Sequence, residues 1–284
     1  MVREYKRLAV KTCYWRPGID YLKQIAESIE MKVTDGDFVT VSEKAVSTAM
    51  GNLVDESAVR PGLAARFLAK YWMRYIWGYI LGPLCRLRKD TVQHIRKYPP
   101  EEGAAHKQVV LEHTGLLQAL MMGSEGGIDG SNLPYSYVSL PLENAQVIAR
   151  EIHDYIRCML GKKVVVMIVD TDKTYSFRTF HFTPRPNPIN GIHWLGGVVA
   201  YIIGRLLKME KRATPIGLAG SARALAISVE EALKIAEIAN RAQGFGAGRT
   251  IWSMAETFEV PMADVSWAML DIVEHKPIVI VRVH

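Results

Sequence analysis

The run Val164-Val165-Val166-Met167-Ile168-Val169-Asp170-Thr171-Asp172 constrains this chain more than any other stretch. Its apolar part is almost wholly β-branched and leaves neither side of a pleat for water. It therefore reads as a strand buried on both faces, spanning Val164 to Val169. The run closes on two carboxylates flanking a hydroxyl. Strand ends are where mixed α and β enzymes place chemistry, because the strand is rigid and the loop beyond it opens into a crevice. Upstream lies a second polar stretch, Glu125-Gly126-Gly127-Ile128-Asp129-Gly130-Ser131-Asn132, whose glycines let backbone approach a ligand closely. The expectation is that the two pieces share a divalent-metal site.

A hard divalent cation takes carboxylate, hydroxyl and amide oxygens and keeps positions open for water or a substrate phosphate. One piece offers Glu125, Asp129, Ser131 and Asn132, and the other Asp170, Thr171 and Asp172. A second strand end joins them: Phe38-Val39-Thr40-Val41 follows the turn signal Asp35-Gly36-Asp37 and closes on Ser42-Glu43-Lys44. The bland alternatives are an Asx-turn at Asp129 and ordinary solvated strand exits at Glu43 and Asp172. The residues alone leave both readings open.

Composition narrows the function classes. A hydrophobic share of 49% and a charged share of 23% are those of a globular protein with a sizeable core. The net charge of +6 is spread along the chain, apart from short groups such as Arg86 to Lys89 and Lys208 to Arg212. That dispersion argues against a nucleic-acid partner and suits a phosphate-bearing small molecule. Three cysteines without paired spacing indicate a reduced, cytoplasmic protein with no zinc motif. Tyr71 to Leu84 and Leu195 to Leu207 are apolar but interrupted by Arg74 and Pro83, and by Arg205. They read as buried or oligomer-facing helices, with an interfacial membrane anchor as the alternative.

In chain order, Leu8 to Thr12 reads as a strand and Asp20 to Ile29 as an amphipathic helix. Ala58 to Leu81 reads as a helix that Gly82-Pro83 breaks, and Gln108 to Leu111 as a short strand. Leu142 to Leu160 is a strongly amphipathic helix with Gly161 as its stop, and Ser228 caps a helix running to Ala242. Gly244, Gly246 and Gly248 ahead of Arg249-Thr250 suggest either a phosphate loop or a plain connection between helices. Pro277 to Val283 reads as a closing strand.

Four stretches in this order resemble one family. Asp35 to Val41 followed by Lys44 and Ser47, Gly127 to Asn132, Val169-Asp170-Thr171, and Pro277 to Arg282 are similar to motifs of the coenzyme F-420 gamma-glutamyl ligases. The resemblance implies an α+β fold of mixed sheets with helices. It implies a single catalytic unit over 1–284 that forms a homodimer, with insertions here near 70–105 and 184–212. It implies manganese or magnesium, with GTP, and Asp129, Asp170 and Thr171 as metal ligands. The family reaction activates a carboxylate by phosphoryl transfer from GTP and lets the amine of glutamate attack.

Departures from the family pattern are equally informative. Ala49-Met50-Gly51-Asn52 lacks the family's charged pair, and Asp172-Lys173-Thr174-Tyr175-Ser176-Phe177-Arg178 replaces its substrate-handling run. Glu125, Asp172 and Glu43 add carboxylates around the implied metal. A carboxylate-rich site with a rewritten acceptor segment suits metal-activated water attacking a phosphate ester. The leading expectation is thus a metal-dependent phosphohydrolase. Asp172, Lys44 and Arg178 are its catalytic candidates, Ser131 and Asn132 its cofactor contacts, and Asp129, Asp170, Thr171, Asp172, Glu125 and Glu43 its metal shell. The alternatives are a GTP-dependent gamma-glutamyl (amide-forming) ligase and a non-enzymatic metal-binding or membrane-associated scaffold.

Overall fold

The computed structural model describes residues 4–123, 125–220 and 226–283. Strands β1 (Tyr5–Thr12), β2 (Phe38–Ser42), β5 (Val165–Phe177), β6 (Phe180–Thr183), β7 (His193–Trp194), β8 (Glu210–Gly220) and β9 (His275–Val283) form one mixed sheet. A separate two-stranded ribbon joins β3 (Leu53–Asp55) to β4 (Tyr137–Ser139). β5 is the axis: β2 runs parallel to its first half, β8 antiparallel along its length, and β9 lies between β2 and β1. The fold is α+β, as expected.

Both faces of the sheet are covered, which explains the unbroken apolar run. Val164, Val166 and Ile168 pack with Val39, Val41, Ile278 and Ile280 beneath helices α1 (Tyr21–Ile29), α2 (Glu43–Ala49) and α4 (Ala145–Leu160). Val165, Met167 and Val169 face the other way, with Phe38, Val279 and Val281, onto helix α6 (Val229–Gln243). Gly161 stops α4 in the left-handed region, and Ser228 caps α6 by accepting the Glu231 N–H, both as expected. The Asp35-Gly36-Asp37 turn ties three strands at their shared end. Asp37 takes a two-pronged hydrogen bond from Arg282 of β9, and Asp35 accepts from the Lys163 N–H ahead of β5.

Three expectations need correction. β5 does not stop at Val169 but continues to Phe177, and its register against β8 slips between Asp170 and Lys173. Thr171 and Asp172 are therefore the extra residues of a β-bulge, a device that re-aims side chains where a sheet borders a site. Gln108 to Leu111 is not a strand but part of helix α3 (Pro100–His113), with Pro100 at its first position and Glu101 and Glu102 in its first turn. Ala58 to Leu81 does not wind uniformly. A short α-helix at Leu63–Phe67 passes into a π-helical stretch, Leu68–Leu81.

That stretch buries Met73 and Trp77 against Val198 and Tyr201 of helix α5 (Gly197–Leu206), so the segments expected as insertions pack on one another. Trp72 and Trp77 both donate their indole N–H to the Leu120 carbonyl, which anchors the chain just ahead of the Glu125 to Asn132 loop. Among the described residues, no helix is long and apolar enough to cross a membrane. All three cysteines are unpaired.

Candidate functional site: a cationic cleft beside a sealed ion-pair cluster

The α2 N-terminus, the Asp129 loop, the β5 bulge and the start of β9 surround a cleft of about 580 Å³. The far wall is the C-terminal end of α6 with the Gly244 to Arg249 loop. Lys44, Asp129, Ser131, Asn132 and Thr171, all singled out in the sequence, line it. Glu43, Glu125, Asp170, Asp172 and Arg178 do not line it.

Lys44 organises the near wall. Its ammonium lies 2.5 Å from Asp129 Oδ2 and donates to the Ser131 hydroxyl at 2.8 Å and the Ser131 carbonyl at 2.9 Å. Asp129 also accepts the Ser131 N–H at 2.7 Å, the Asx-turn that the glycine-rich sequence suggested. Burial works against the Asp129 charge, but Lys44 and Ser131 outweigh it and hold the carboxyl below its ordinary value. Asn132 is a brace: its amide bonds the Phe245 and Gly248 carbonyls and accepts from the Ala247 N–H. A side chain at Gly246 would collide with Asn132 Oδ1, so the glycine loop and the Asp129 loop are fitted to one another.

The cleft carries six cations, Lys44, Lys173, Lys211, Arg241, Arg249 and Lys276, against three carboxylates, Asp129, Glu237 and Glu274. Glu237 serves both Lys173 and Arg241, and Glu274 serves Lys276. Lys211 and Arg249 have no carboxylate partner among the described residues. Burial pushes the Lys211 ammonium down, and Arg205, Lys173 and Arg249 push it further, with Glu237 opposing. Burial and then Lys44 drive the His275 imidazole down to about 4, so it stands neutral at the cleft wall. Positive charge gathered beyond local compensation is the signature of an anion site.

Behind the near wall the arrangement inverts. Arg185, only 2% exposed, places Nε 2.8 Å from Asp170 Oδ2 and Nη2 2.5 Å from Glu43 Oε1. Its Nη1 donates to the Pro186 carbonyl at 2.8 Å. Glu43 Oε1 also accepts the Leu142 N–H, and Asp170 Oδ1 accepts the Asp172 N–H. Burial raises the Glu43 carboxyl, with Arg185 opposing and Asp170 reinforcing. Burial works against the Arg185 charge, yet Glu43 and Asp170 outweigh it and hold the guanidinium above its ordinary value.

Glu125 belongs to a third cluster, under α3. It meets the buried Lys107 at 2.6 Å and His106 Nε2 at 2.7 Å, while His106 Nδ1 meets Glu56 at 2.6 Å. Burial works against the His106 charge, but Glu56 and Glu125 prevail and hold it up to about 10. Arg178 sits exposed at the tip of the β5–β6 hairpin, over the Phe177 ring.

As arranged, the expected donor set does not fit a divalent ion. Asp129, Glu125, Glu43 and Asp170 each already face a protein cation, and Asp170 with Glu43 lies buried outside the cleft. No three His, Cys, Asp or Glu side chains among the described residues converge on a point that a metal could occupy. Sequence reasoning missed Arg185, Lys173, Lys211, Arg241, Arg249 and Lys276 as a set. The basic group Lys208 to Arg212 and the Gly-rich lead into Arg249 were visible, but nothing local showed that they face one cleft.

Fold and cleft together define a mixed-sheet protein with a cation-rich cleft. A profile of the F420-0:Gamma-glutamyl ligase family matches residues 9–201. An uncharacterized protein of Methanocaldococcus jannaschii is 38% identical over 283 residues, covering 96% of this chain and 95% of that one. The coenzyme F420:L-glutamate ligase of Methanopyrus kandleri is 28% identical over 158 residues, 55% of either chain. The chain belongs to the F420-0:gamma-glutamyl ligase family.

Proposed function

We propose that this protein is an amide-forming ligase that couples a nucleoside triphosphate, GTP, to the joining of a carboxylate with the amine of an amino acid such as glutamate. The observation that carries this reading is the excess of cations in the cleft, centred on Lys211 and Arg249. A triphosphate supplies the missing negative charge, and arginine can grip its oxygens in pairs. A divalent ion would enter with the triphosphate, as part of that substrate.

In this reading an acceptor carboxylate oxygen attacks the terminal phosphorus, and the bridging bond to the diphosphate breaks. The amine then attacks the acyl carbon, inorganic phosphate leaves, and the amine gives up a proton. Lys211 and Arg249 hold phosphate oxygens, and Lys44 keeps Asp129 ionised at the cleft wall. Among the carboxylates expected at the site, Asp129 is the one positioned to take that proton. The homodimer and the cytoplasmic setting belong to the same proposal.

The phosphohydrolase reading rested on extra carboxylates around a metal. Glu43 and Glu125 instead sit in buried ion pairs, which removes the support for a carboxylate-rich hydrolytic centre. The deciding experiment incubates protein with GTP, magnesium, glutamate and a panel of small carboxylates. GDP release that requires both amine and carboxylate is expected. Chelator-sensitive release of phosphate from p-nitrophenyl phosphate, with no GDP formed in any mixture, would overturn the proposal in favour of hydrolysis.

A further inference from the structure

We infer that Arg185 is a built-in cation that stands where this site would otherwise hold a divalent metal against Asp170. The guanidinium is not an incidental neighbour. It spans two carboxylates brought from different elements, Glu43 at the start of α2 and Asp170 at the bulge of β5, at 2.5 and 2.8 Å. Its backbone is fixed as well: the Arg185 N–H donates to Thr183 Oγ1, which touches Thr214 Oγ1, which in turn donates to the Asp172 carbonyl. Pro184 is held by Gln118 and Trp194, both of which donate to its carbonyl.

The Asp129 loop is shaped around this guanidinium. Gly127 has φ +98°, and a Cβ there would lie 2.9 Å from Arg185 Nε and 3.0 Å from Pro141 Cβ. Glycine at that position serves the arginine, since any side chain would push it off Asp170. A divalent ion at Asp170 would face the guanidinium across the same carboxylate, and the repulsion between the two cations in a buried site works against its binding there. Arg185 comes from the proline-punctuated segment after β6, so a stretch of chain outside the Asp129 loop and the β5 bulge supplies the charge internally.

This inference goes beyond the proposed reaction and does not depend on it, because its test reads metal occupancy and not turnover. Manganese(II) alone, without nucleotide, is titrated against the intact protein while the free-ion signal is followed by electron paramagnetic resonance. The wild type and Asp170→Asn are expected to give superimposable curves. Arg185→Gln, checked for folding by circular dichroism, is expected to take up Mn2+ that Asp170→Asn in the same background releases. If wild type binds one Mn2+ per chain and Asp170→Asn weakens it by about tenfold or more, the inference is overturned. A folded Arg185→Gln that takes up no Mn2+ also counts against it. If that variant fails to fold, the comparison of wild type with Asp170→Asn still decides.

Discussion

Two adjacent residues at the start of α2 point to opposite worlds. Lys44 reaches into the cleft and pairs with Asp129, both partly open to solvent, whereas Glu43 turns inward to Arg185 with 3% of its surface exposed. The bulge of β5 repeats the division, with Thr171 exposed on the cleft side and Asp170 and Asp172 buried. Charge type does not separate the two regions, since each holds carboxylates and a cation. What differs is access: the open pair can exchange its partner for a ligand, and the sealed one can only be satisfied by the protein itself.

The sharpest way to break the contrast is to remove the sealed cation. Arg185→Met leaves Glu43 and Asp170 buried without it, and the expected loss is about 3–5 kcal/mol of unfolding free energy in urea. An unchanged midpoint would mean that the cluster is hydrated. Gly127→Ala attacks the same contact indirectly. Strain at positive φ and the collision with Arg185 should cost about 2–3 kcal/mol by the same measurement.

The Glu125 cluster provides an intermediate case. His106 has a folded pKa near 10, above its ordinary 6.5, so its contribution is fully present below pH 6.5 and fades as pH rises through 10. Unfolding free energy measured in urea across that window should fall steadily as pH rises, and His106→Gln should flatten the dependence. Lys44→Met probes the open pair and should be the mildest for stability, about 1 kcal/mol. Here the expected signature is lost turnover with the fold intact. A stability loss matching that of Arg185→Met would erase the distinction between the two regions.

Much of the scaffold was legible because its signals are local. Buried β-branched runs marked β2, β5 and β9, Ser228 and Gly161 marked helix ends, and the motif order identified the family. The site was legible only in part. Asp170-Thr171-Asp172 looks like a strand exit because polar residues in a buried strand normally mean solvent. It remains a strand because Arg185, fifteen residues on, neutralises Asp170 from within. Nothing around Arg185, among three prolines, discloses that partnership. Asp129 had both a metal and an Asx-turn reading, and the structure gives it the turn together with a lysine. The cleft cations come from α2, β5, β8, α6, the glycine loop and β9, so only the folded arrangement reveals their convergence.

The central claim, that the open cleft is a triphosphate site, is tested most directly by calorimetric titration of GTP with magnesium. Wild-type protein is predicted to bind one nucleotide per chain, more weakly as salt is raised. Lys211→Ala combined with Arg249→Ala should weaken it by about 10- to 100-fold. No binding by the wild type, or equal affinity in the double variant, would contradict the account.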